Sequence, residues 1–326
     1  MSTLETDRTG ESGPQFPPEI WLMILRTVTD VPDPLVYPHL ILPGSKTSQG
    51  MLSEHASKRY RQCLITKRLV VGVCRQWYAF ANKFMFEHLV IDKPWQLGVL
   101  LQTLPRLPAG RIDPGDRRTL GWFVKRLDLL IPNLEWLRTK RKNPAIHSAA
   151  PQLYTFLPNL LSLNVAGAPL SCLPSGTTVV SPNLKQLCWT DGTSPTLQGV
   201  KVKELILFMK NHPNLTVMCF PPVEFCEWPP ESNPSLGGWD GVRWPDLQEL
   251  VFATNVRTFY YNAFCAGAFP GLRRLVAPYC NTPTLSRWLC QGVLGVALYP
   301  GYDPDYTVFV SEPAGIQVVA LAPSTA

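Results

Sequence analysis

Pro158-Asn159-Leu160-Leu161-Ser162-Leu163-Asn164-Val165 is the stretch that decides the fold, because its pattern recurs along the C-terminal two thirds of the chain. Each copy begins with Pro-x-Leu. An apolar residue stands three positions after the leucine, and usually another stands five positions after it. The other copies begin at Pro132, Pro182, Pro213, Pro245 and Pro270. The leucines of successive copies are 24 to 32 residues apart, and self-similarity at such a period indicates a repeat architecture.

Each copy has a simple physical interpretation. Pro-x-Leu turns the chain and anchors it, and the alternating apolar residues that follow predict one short strand. The chain then returns as a helix or a loop, and residues 202–212 predict one such helix. A single unit cannot bury its own apolar side, so neighbouring units must share a core. We therefore predict an α/β fold in which residues 92–326 form an irregular leucine-rich-repeat solenoid, with parallel strands and returning helices or loops.

The concave wall of such a solenoid is the predicted target-binding surface. Side chains between the strand anchors should point outward along this wall, where a partner protein would contact them. These positions are Asn164, Lys185, Gln186, Thr216, Gln248, Glu249, Arg273 and Arg274. The pattern predicts a protein target without naming it.

Two parts of the repeat region leave alternatives open. Residues 224–230 are an acidic and aromatic insertion, which is either a binding loop or a solvated bulge. After Trp288 the pattern fades, although residues 308–310 and 318–320 predict further strands. We identify no polar capping helix, so either the natural protein continues beyond residue 326 or the array closes in a way that the pattern does not reveal.

The N-terminal part of the chain is predicted to be helical. Residues 1–15 are polar and predict a disordered tail. A short helix begins near Pro17 and carries four apolar residues on one face, namely Ile20, Ile24, Leu25 and Val28. Proline and glycine then predict a loop over residues 30–57. Beyond it we predict a helical block over residues 58–83 with a break near Cys74, a strand at residues 86–91 and a helix at residues 95–104.

Two short motifs in this part are typical of one known domain. Phe16-Pro17-Pro18-Glu19-Ile20-Trp21 resembles the Leu-Pro-Pro-Glu-Ile-Trp opening of the F-box-like domain found at the start of many fungal proteins. Val73-Cys74-Arg75-Gln76-Trp77 is similar to the second signature of that domain, and Phe84 and Phe86 match its final bulky pair. The resemblance covers residues 16–91. Phe16 departs from the usual leucine, and the long loop is similar to insertions in the mushroom-type members.

The resemblance implies a role in ubiquitin ligases. It implies that the N-terminal helices dock onto the small adaptor that links F-box proteins to a cullin scaffold, while the repeats hold a target protein. The docking residues implied are Pro17, Pro18, Ile20, Ile24, Leu25, Val73, Cys74 and Trp77. The alternative is a leucine-rich-repeat scaffold without a ubiquitin link, whose N-terminal helices cap the solenoid. Exposure of Pro17, Ile20 and Ile24 favours docking, and their burial favours a cap.

Other functional classes find little support in the sequence. The chain has no GxSxG, P-loop, GxGxxG or HExxH motif, so we predict no enzyme, no catalytic residue and no cofactor. His212, Cys219 and Cys226 lack the close pairs typical of zinc ligands, so we also predict no metal. The net charge of +6 is spread thinly over the chain, which argues against nucleic-acid binding.

The cellular location follows from three absences in the sequence. The nine cysteines include no CxxC pair, and several lie in apolar runs, as is typical of reduced intracellular proteins. The acidic start of the chain is unlike a secretory signal. No apolar run approaches the roughly 18 residues of a membrane span. We therefore expect a cytoplasmic or nuclear protein that does not bind membranes.

Overall fold

The computed structural model describes residues 17–29, 54–107, 117–131, 152–166, 180–190, 202–220, 243–252, 268–278, 306–311 and 317–323. These segments form a mixed α/β fold, in which three N-terminal helices precede an open and mainly parallel sheet. The α/β class and the parallel strands that the repeated pattern predicts are therefore confirmed.

The N-terminal helices are α1 (Pro18–Thr29), α2 (Glu54–Val73) and α3 (Arg75–Phe86). Proline is tolerated at the first position of α1 because the N–H that it lacks would have no partner inside the helix. A small core joins the three helices, and its buried side chains are Leu25, Val70, Ala81 and Phe84. The predicted break near Cys74 is confirmed, since α2 ends and α3 begins on either side of this residue.

The sheet follows the helices almost at once, because only Glu87 separates α3 from the first strand. The strands of the described segments are β1 (His88–Ile91), β2 (Arg126–Leu129), β3 (Ser162–Ala166), β4 (Gln186–Thr190), β5 (Val217–Phe220), β6 (Glu249–Phe252), β7 (Arg274–Pro278), β8 (Tyr306–Ser311) and β9 (Gln317–Pro323). Their order across the sheet is β1-β2-β3-β4-β5-β6-β7-β9-β8. Each pair is parallel except β9 with β8, which is antiparallel.

Helical segments lie between several of these strands in the part of the chain that the structure describes. α4 (Pro94–Thr103) and a 3₁₀ turn (Leu120–Phe123) connect β1 to β2, and α5 (Val202–Lys210) precedes β5. Both α4 and α5 agree with the helices predicted from the apolar spacing. The helices satisfy the requirement that parallel strands be joined by crossovers rather than by tight turns.

Leucines of the repeated pattern build the core under the sheet. The register aligns one apolar residue from each of five neighbouring strands, and all five are buried: Leu127, Leu163, Leu187, Met218 and Leu250. The triplet leucines before the strands are buried as well, namely Leu160, Leu184, Leu215, Leu247 and Leu272. Each such side chain contributes about 1.5–3 kcal/mol on burial, so these two rows hold the units together.

The asparagine of the Pro-Asn-Leu triplet links each unit to the one before it. The Nδ2 of Asn159 donates to the carbonyl of Trp122 at 3.0 Å. Asn183 donates in the same way to Pro158 at 3.2 Å, and Asn214 to Pro182 at 2.9 Å. Three successive units thus repeat one amide-to-carbonyl contact, which we call the asparagine ladder.

The ladder has no asparagine in the last two copies, where Asp246 and Gly271 take its place. A Cβ at Gly271 would collide with the carbonyl oxygen of Pro245. The backbone of the preceding unit therefore approaches Gly271 so closely that a side chain has no room there. Close backbone packing replaces the amide contact at this step of the array.

The sheet starts earlier than the repeated pattern indicates. β1 lies within the segment of residues 16–91 that resembles the F-box-like domain, yet it pairs with β2 as the first strand of the sheet. The pattern also misses β2, because Val124 occupies the position of the triplet leucine and no Pro-x-Leu precedes it. Residues 1–16, 30–53, 132–151 and 221–242, which include the predicted tail, most of the loop, the first copy and the insertion, lie outside the described residues.

Candidate functional site

Helix α1 presents a stripe of apolar side chains to solvent. Its members are Ile20, Met23, Ile24 and Val28, which we call the helix-1 stripe. Ile20 is 39% exposed and Ile24 is 40% exposed, and Met23 reaches 66%. Pro17, just before the helix, is exposed, and Pro18 begins it. A row of large apolar side chains in water is the kind of surface on which a partner docks.

The opposite face of α1 holds the helix in its own domain. Leu25 is only 1% exposed and lies in the core of the three helices. The Cys63 thiol donates to the carbonyl of Thr29 at 2.9 Å and ties the end of α1 to α2. Leu25 is therefore not available for docking, contrary to the expectation from the resemblance. The reason is geometric, since each residue turns the helix by about 100° and Leu25 lies beside the core while Ile24 faces away.

The second motif lies where α2 meets α3. Val73, the last residue of α2, is exposed and continues an apolar row with Ile65 and Leu69 at intervals of four. Cys74 is exposed and caps α3, and its sulfur accepts a hydrogen bond from the Trp77 backbone N–H at 3.4 Å. These residues bring a second apolar row to the surface next to a tight helix junction.

Trp77 has a mainly internal role in this structure. Its ring packs against that of Trp21, with ring centroids 4.8 Å apart, and the side chain is half-buried. Nearby, the Lys67 ammonium is buried and donates to the carbonyl of Phe84 at 2.8 Å. The ring contact joins α1 to α3, and the Lys67 hydrogen bond joins α2 to α3. Trp77 therefore positions the helix-1 stripe more than it extends it.

Four of the predicted target-binding residues lie in one row at the amino edge of the sheet. The backbone N–H of each residue after the first donates to the backbone carbonyl of the row's previous member, which lies beside the neighbouring strand. The row therefore crosses the sheet from one strand to the next. Its members are Lys125, Leu161, Lys185, Thr216, Gln248 and Arg273, and we call them the amino-edge row. All of them are exposed except Thr216, which is half-buried. Lys125 was missed because no Pro-x-Leu copy reaches it, whereas Leu161 holds the same repeat position as Lys185 and was not among the predicted residues.

The other four predicted residues lie within the strands. Gln186, Glu249 and Arg274 share one register row of the sheet, and Gln186 and Glu249 are half-buried. Asn164 lies two register rows further along the strands and is only 1% exposed, with neither amide atom in a hydrogen bond. The expectation that Asn164 faces a partner is therefore wrong for this structure. The exposed candidates for target binding lie at the amino edge instead.

A buried charged group at the start of the sheet was not foreseen. His88 of β1 contacts Asp128 of β2 at 2.7 Å, and the Arg126 Nε donates to the same carboxylate at 3.0 Å. Burial opposes ionisation of Asp128, but the hydrogen bond from His88 and the charge of Arg126 hold the pKa of this carboxyl below its usual range. Burial lowers the pKa of His88, so the neutral ring donates to Asp128. The contact between His88 and Asp128 therefore holds β1 against β2.

The described segments offer no group of histidine, cysteine and acidic side chains able to hold a metal ion. Within the same segments the structure has no helix both long enough and apolar enough to cross a membrane. His212, one member of the metal site weighed above, is buried and hydrogen-bonded to backbone groups of Phe208 and Val180. Its ring nitrogens are therefore engaged in holding the fold.

Comparison with known proteins gives no identification. No protein-family profile matches the chain, and no curated protein matches it.

Proposed function

We propose that the chain is a non-catalytic substrate receptor of an SCF-type cullin-RING ubiquitin ligase. In this proposal residues 16–91 form an F-box-like domain that binds the cullin-linked adaptor. The sheet belongs to an irregular leucine-rich-repeat solenoid that holds a target protein. The protein then works in the cytoplasm or nucleus, without a cofactor.

Exposure of the helix-1 stripe is the observation that supports this proposal most directly. Pro17, Ile20 and Ile24 are exposed, as a docking helix requires and as a capping helix does not. Burial of one such isoleucine by a partner contributes about 1.5–3 kcal/mol. The apolar row of α2 that ends at Val73 adds further surface of the same kind.

The amino-edge row supports a second interface on the sheet. Lys185, Gln248 and Arg273 expose long polar side chains directly before β4, β6 and β7, where main-chain hydrogen bonds hold them in place. Polar side chains on a rigid scaffold suit the recognition of another protein's surface. The adaptor and the target would thus contact different elements of the chain.

Proximity is the mechanism that two such interfaces imply. A target held beside a ubiquitin-conjugating enzyme on the scaffold reacts at a high effective concentration, and the receptor contributes no catalytic group. The rate therefore depends on how firmly and in which orientation the receptor holds the target.

The scaffold without a ubiquitin link is the second candidate. The close connection of the helices to the sheet favours it, because the carbonyl of Glu87, directly after α3, accepts from the backbone N–H groups of Lys125 and Arg126. Helices that continue into the first strand suit a cap on the repeat array. A cap, however, leaves the exposed helix-1 stripe without a purpose.

A pull-down with the cullin-linked adaptor of the host distinguishes the two candidates. The purified chain is compared with an Ile20→Asp, Ile24→Asp variant, which places two charges on the helix-1 stripe. A Val99→Asp, Leu207→Asp variant is the matched control, because these side chains are comparably exposed on α4 and α5. We expect the wild type and the control to retain the adaptor, and the helix-1 variant to lose at least tenfold in affinity, since each buried isoleucine is worth more than about 1.4 kcal/mol.

Both variants must melt as cooperatively as the wild type for the comparison to hold. Failure of the wild type to bind the adaptor would favour the scaffold. Equal loss in both variants would also reject the helix-1 stripe as the docking surface.

A further inference from the structure

Two cysteines lie side by side on neighbouring strands of the sheet. Cys188 of β4 and Cys219 of β5 are partners in the register of these parallel strands. Each directly follows a residue of the buried leucine row, Leu187 or Met218, so both cysteine side chains project from the opposite face of the sheet. Both are in the thiol form, and they are only 2% and 4% exposed. The fold thus brings together two buried thiols that lie far apart in the sequence.

The spacing of the strands suits a disulfide between these thiols. Neighbouring strands lie about 4.7–4.9 Å apart, and disulfides join residues whose Cα atoms are about 4.4–6.8 Å apart. The Cβ atoms of a disulfide are closer, at about 3.5–4.5 Å, so β4 and β5 must approach each other slightly when the bond forms. A disulfide formed under such a constraint is easily reduced. The geometry therefore suits a reversible bond better than a permanent one.

The same register row continues to Asn164 of β3, the neighbour of Cys188 on its other side. Asn164 is 1% exposed, and neither of its amide atoms is in a hydrogen bond. A buried amide without hydrogen bonds is uncommon and requires an explanation. A thiol reacts as the thiolate, whose charge burial opposes. An amide N–H beside Cys188 is a suitable donor to a thiolate at that position.

We propose that Cys188 and Cys219 form a reversible disulfide in response to hydrogen peroxide, with Asn164 assisting Cys188 as the attacking thiol. The Cys188 thiolate attacks one peroxide oxygen, the O–O bond breaks, and the departing hydroxide takes up the proton of the thiol as water. The Cys219 sulfur then attacks the sulfur of the resulting sulfenic acid, which forms the S–S bond and releases a second water. Two thiols are oxidised and one peroxide is reduced. The assignment does not depend on the ubiquitin ligase.

The bond would join two units of the repeat array covalently. It closes residues 188–219 into a loop, and this loop includes α5 (Val202–Lys210). Local opening exposes buried thiols to a small oxidant such as peroxide. In a reducing compartment such a disulfide is transient and acts as a sensor of oxidant. Oxidation would therefore restrict the movement of the unit that contains α5.

Peptide mapping of the full chain tests the proposal. The folded protein is treated with hydrogen peroxide and then unfolded in urea with excess N-ethylmaleimide, which blocks every remaining thiol. Mass spectrometry of the digested protein should show a peptide pair linked through Cys188 and Cys219. Treatment of the oxidised protein with excess reduced glutathione before blocking should remove this pair. A link that glutathione cannot reduce would contradict the reversible bond.

Oxidation of the chain in urea supplies a reference that requires no variant. The unfolded chain should distribute its bonds among the nine cysteines, whereas the folded chain should favour the link between Cys188 and Cys219. Absence of this link from the folded chain, or an equal share of it in the folded and unfolded chains, overturns the proposal.

Four alanine variants identify the partners. Cys188→Ala and Cys219→Ala should each abolish the linked pair. Cys63→Ala is the matched control, because Cys63 is a buried cysteine on α2, and this variant should keep the pair. Cys226→Ala is a second control, since Cys226 is close to Cys219 in the sequence and is the rival partner. Loss of the link in Cys226→Ala but not in Cys219→Ala would also overturn the assignment.

The role of Asn164 is tested by the rate of oxidation. Asn164→Leu keeps a similar volume and removes the N–H donor. We expect the disulfide to form about tenfold more slowly or worse in this variant, because a charge-assisted hydrogen bond is lost. The final oxidised fraction in excess peroxide should be unchanged. Equal rates in the variant and the wild type would show that Asn164 does not assist Cys188.

Discussion

His212 shows how a single side chain is held by the fold. Its Nε2 accepts from the Val180 backbone N–H at 3.0 Å, and its Nδ1 lies 2.7 Å from the carbonyl of Phe208. The ring also stacks on that of Phe208, with centroids 4.2 Å apart. One nitrogen must therefore accept and the other must donate, which requires the neutral ring with its proton on Nδ1.

Acid should destabilise the protein through His212. Burial lowers the pKa of His212 below its usual value of about 6.5, and the Phe208 carbonyl opposes this only in part. The unfolded state then binds more protons than the folded state, so stability falls as the pH drops through about 6.5 toward the lowered value. We expect a His212→Gln variant, which does not titrate, to lose less stability than the wild type between pH 7.5 and 5.5.

Urea unfolding at several pH values measures this difference. Burial also lowers the pKa of His88, but His88 is present in both proteins, so its contribution cancels in the comparison. The difference between the two curves therefore reports His212 alone. Parallel curves would show that protonation of His212 does not oppose folding.

At the scale of an element, the Pro-Asn-Leu triplet joins one unit to the next. Its leucine is buried in the shared core, and its asparagine donates across the boundary between units. Both contacts recur because the triplet places one leucine side chain and one asparagine amide at the same position of each of these units. Units two, three and four of the pattern therefore share one geometry at their turns.

Loss of one rung of the asparagine ladder should cost measurable stability. We expect Asn183→Ala to lower the free energy of unfolding by about 1 kcal/mol, the usual net worth of one hydrogen bond. Asp246→Ala is the matched control, because Asp246 holds the corresponding position of a later copy and an ionised carboxylate cannot donate. Urea unfolding at neutral pH gives both values. An equal loss in both variants would indicate that the triplet position matters for its turn and not for the ladder.

At the scale of the whole molecule, the helices and the sheet are joined through β1. The strand covers one side of β2 and brings His88 to the buried Asp128. Without β1, the buried pair of Arg126 and Asp128 loses its cover, and β2 becomes the edge strand of the sheet. Burial of charge that has lost its partners is costly, commonly by several kcal/mol.

Two fragments that differ by four residues test the importance of β1. We expect a fragment of residues 88–326 to unfold at a clearly higher urea concentration than a fragment of residues 92–326. The longer fragment keeps the edge strand and the histidine, and the shorter one exposes unpaired strand groups that favour aggregation. Urea unfolding and light scattering compare the two, with the full chain as the reference. Equal stability and solubility of the two fragments would mean that β1 contributes nothing measurable to the stability of the sheet.

Much of the fold could be predicted from local spacing. The Pro-x-Leu copies predicted β3 to β7 and their buried leucines, since alternation and period are properties of neighbouring residues. The same reasoning missed β2, because Val124 replaces the leucine and the triplet is absent. It also misjudged Leu25 and Asn164, whose burial depends on which elements pack against them.

The sequence by itself determined the α/β class, the parallel strands and the apolar faces of the helices. Those features follow from periodicity, which places side chains on one side of an element whatever lies beyond it. Tertiary structure alone decided the buried group of His88, Arg126 and Asp128 and the exposed amino-edge row. These join residues far apart in the chain, and their charges acquire meaning only when folding sets the distances and the burial between them.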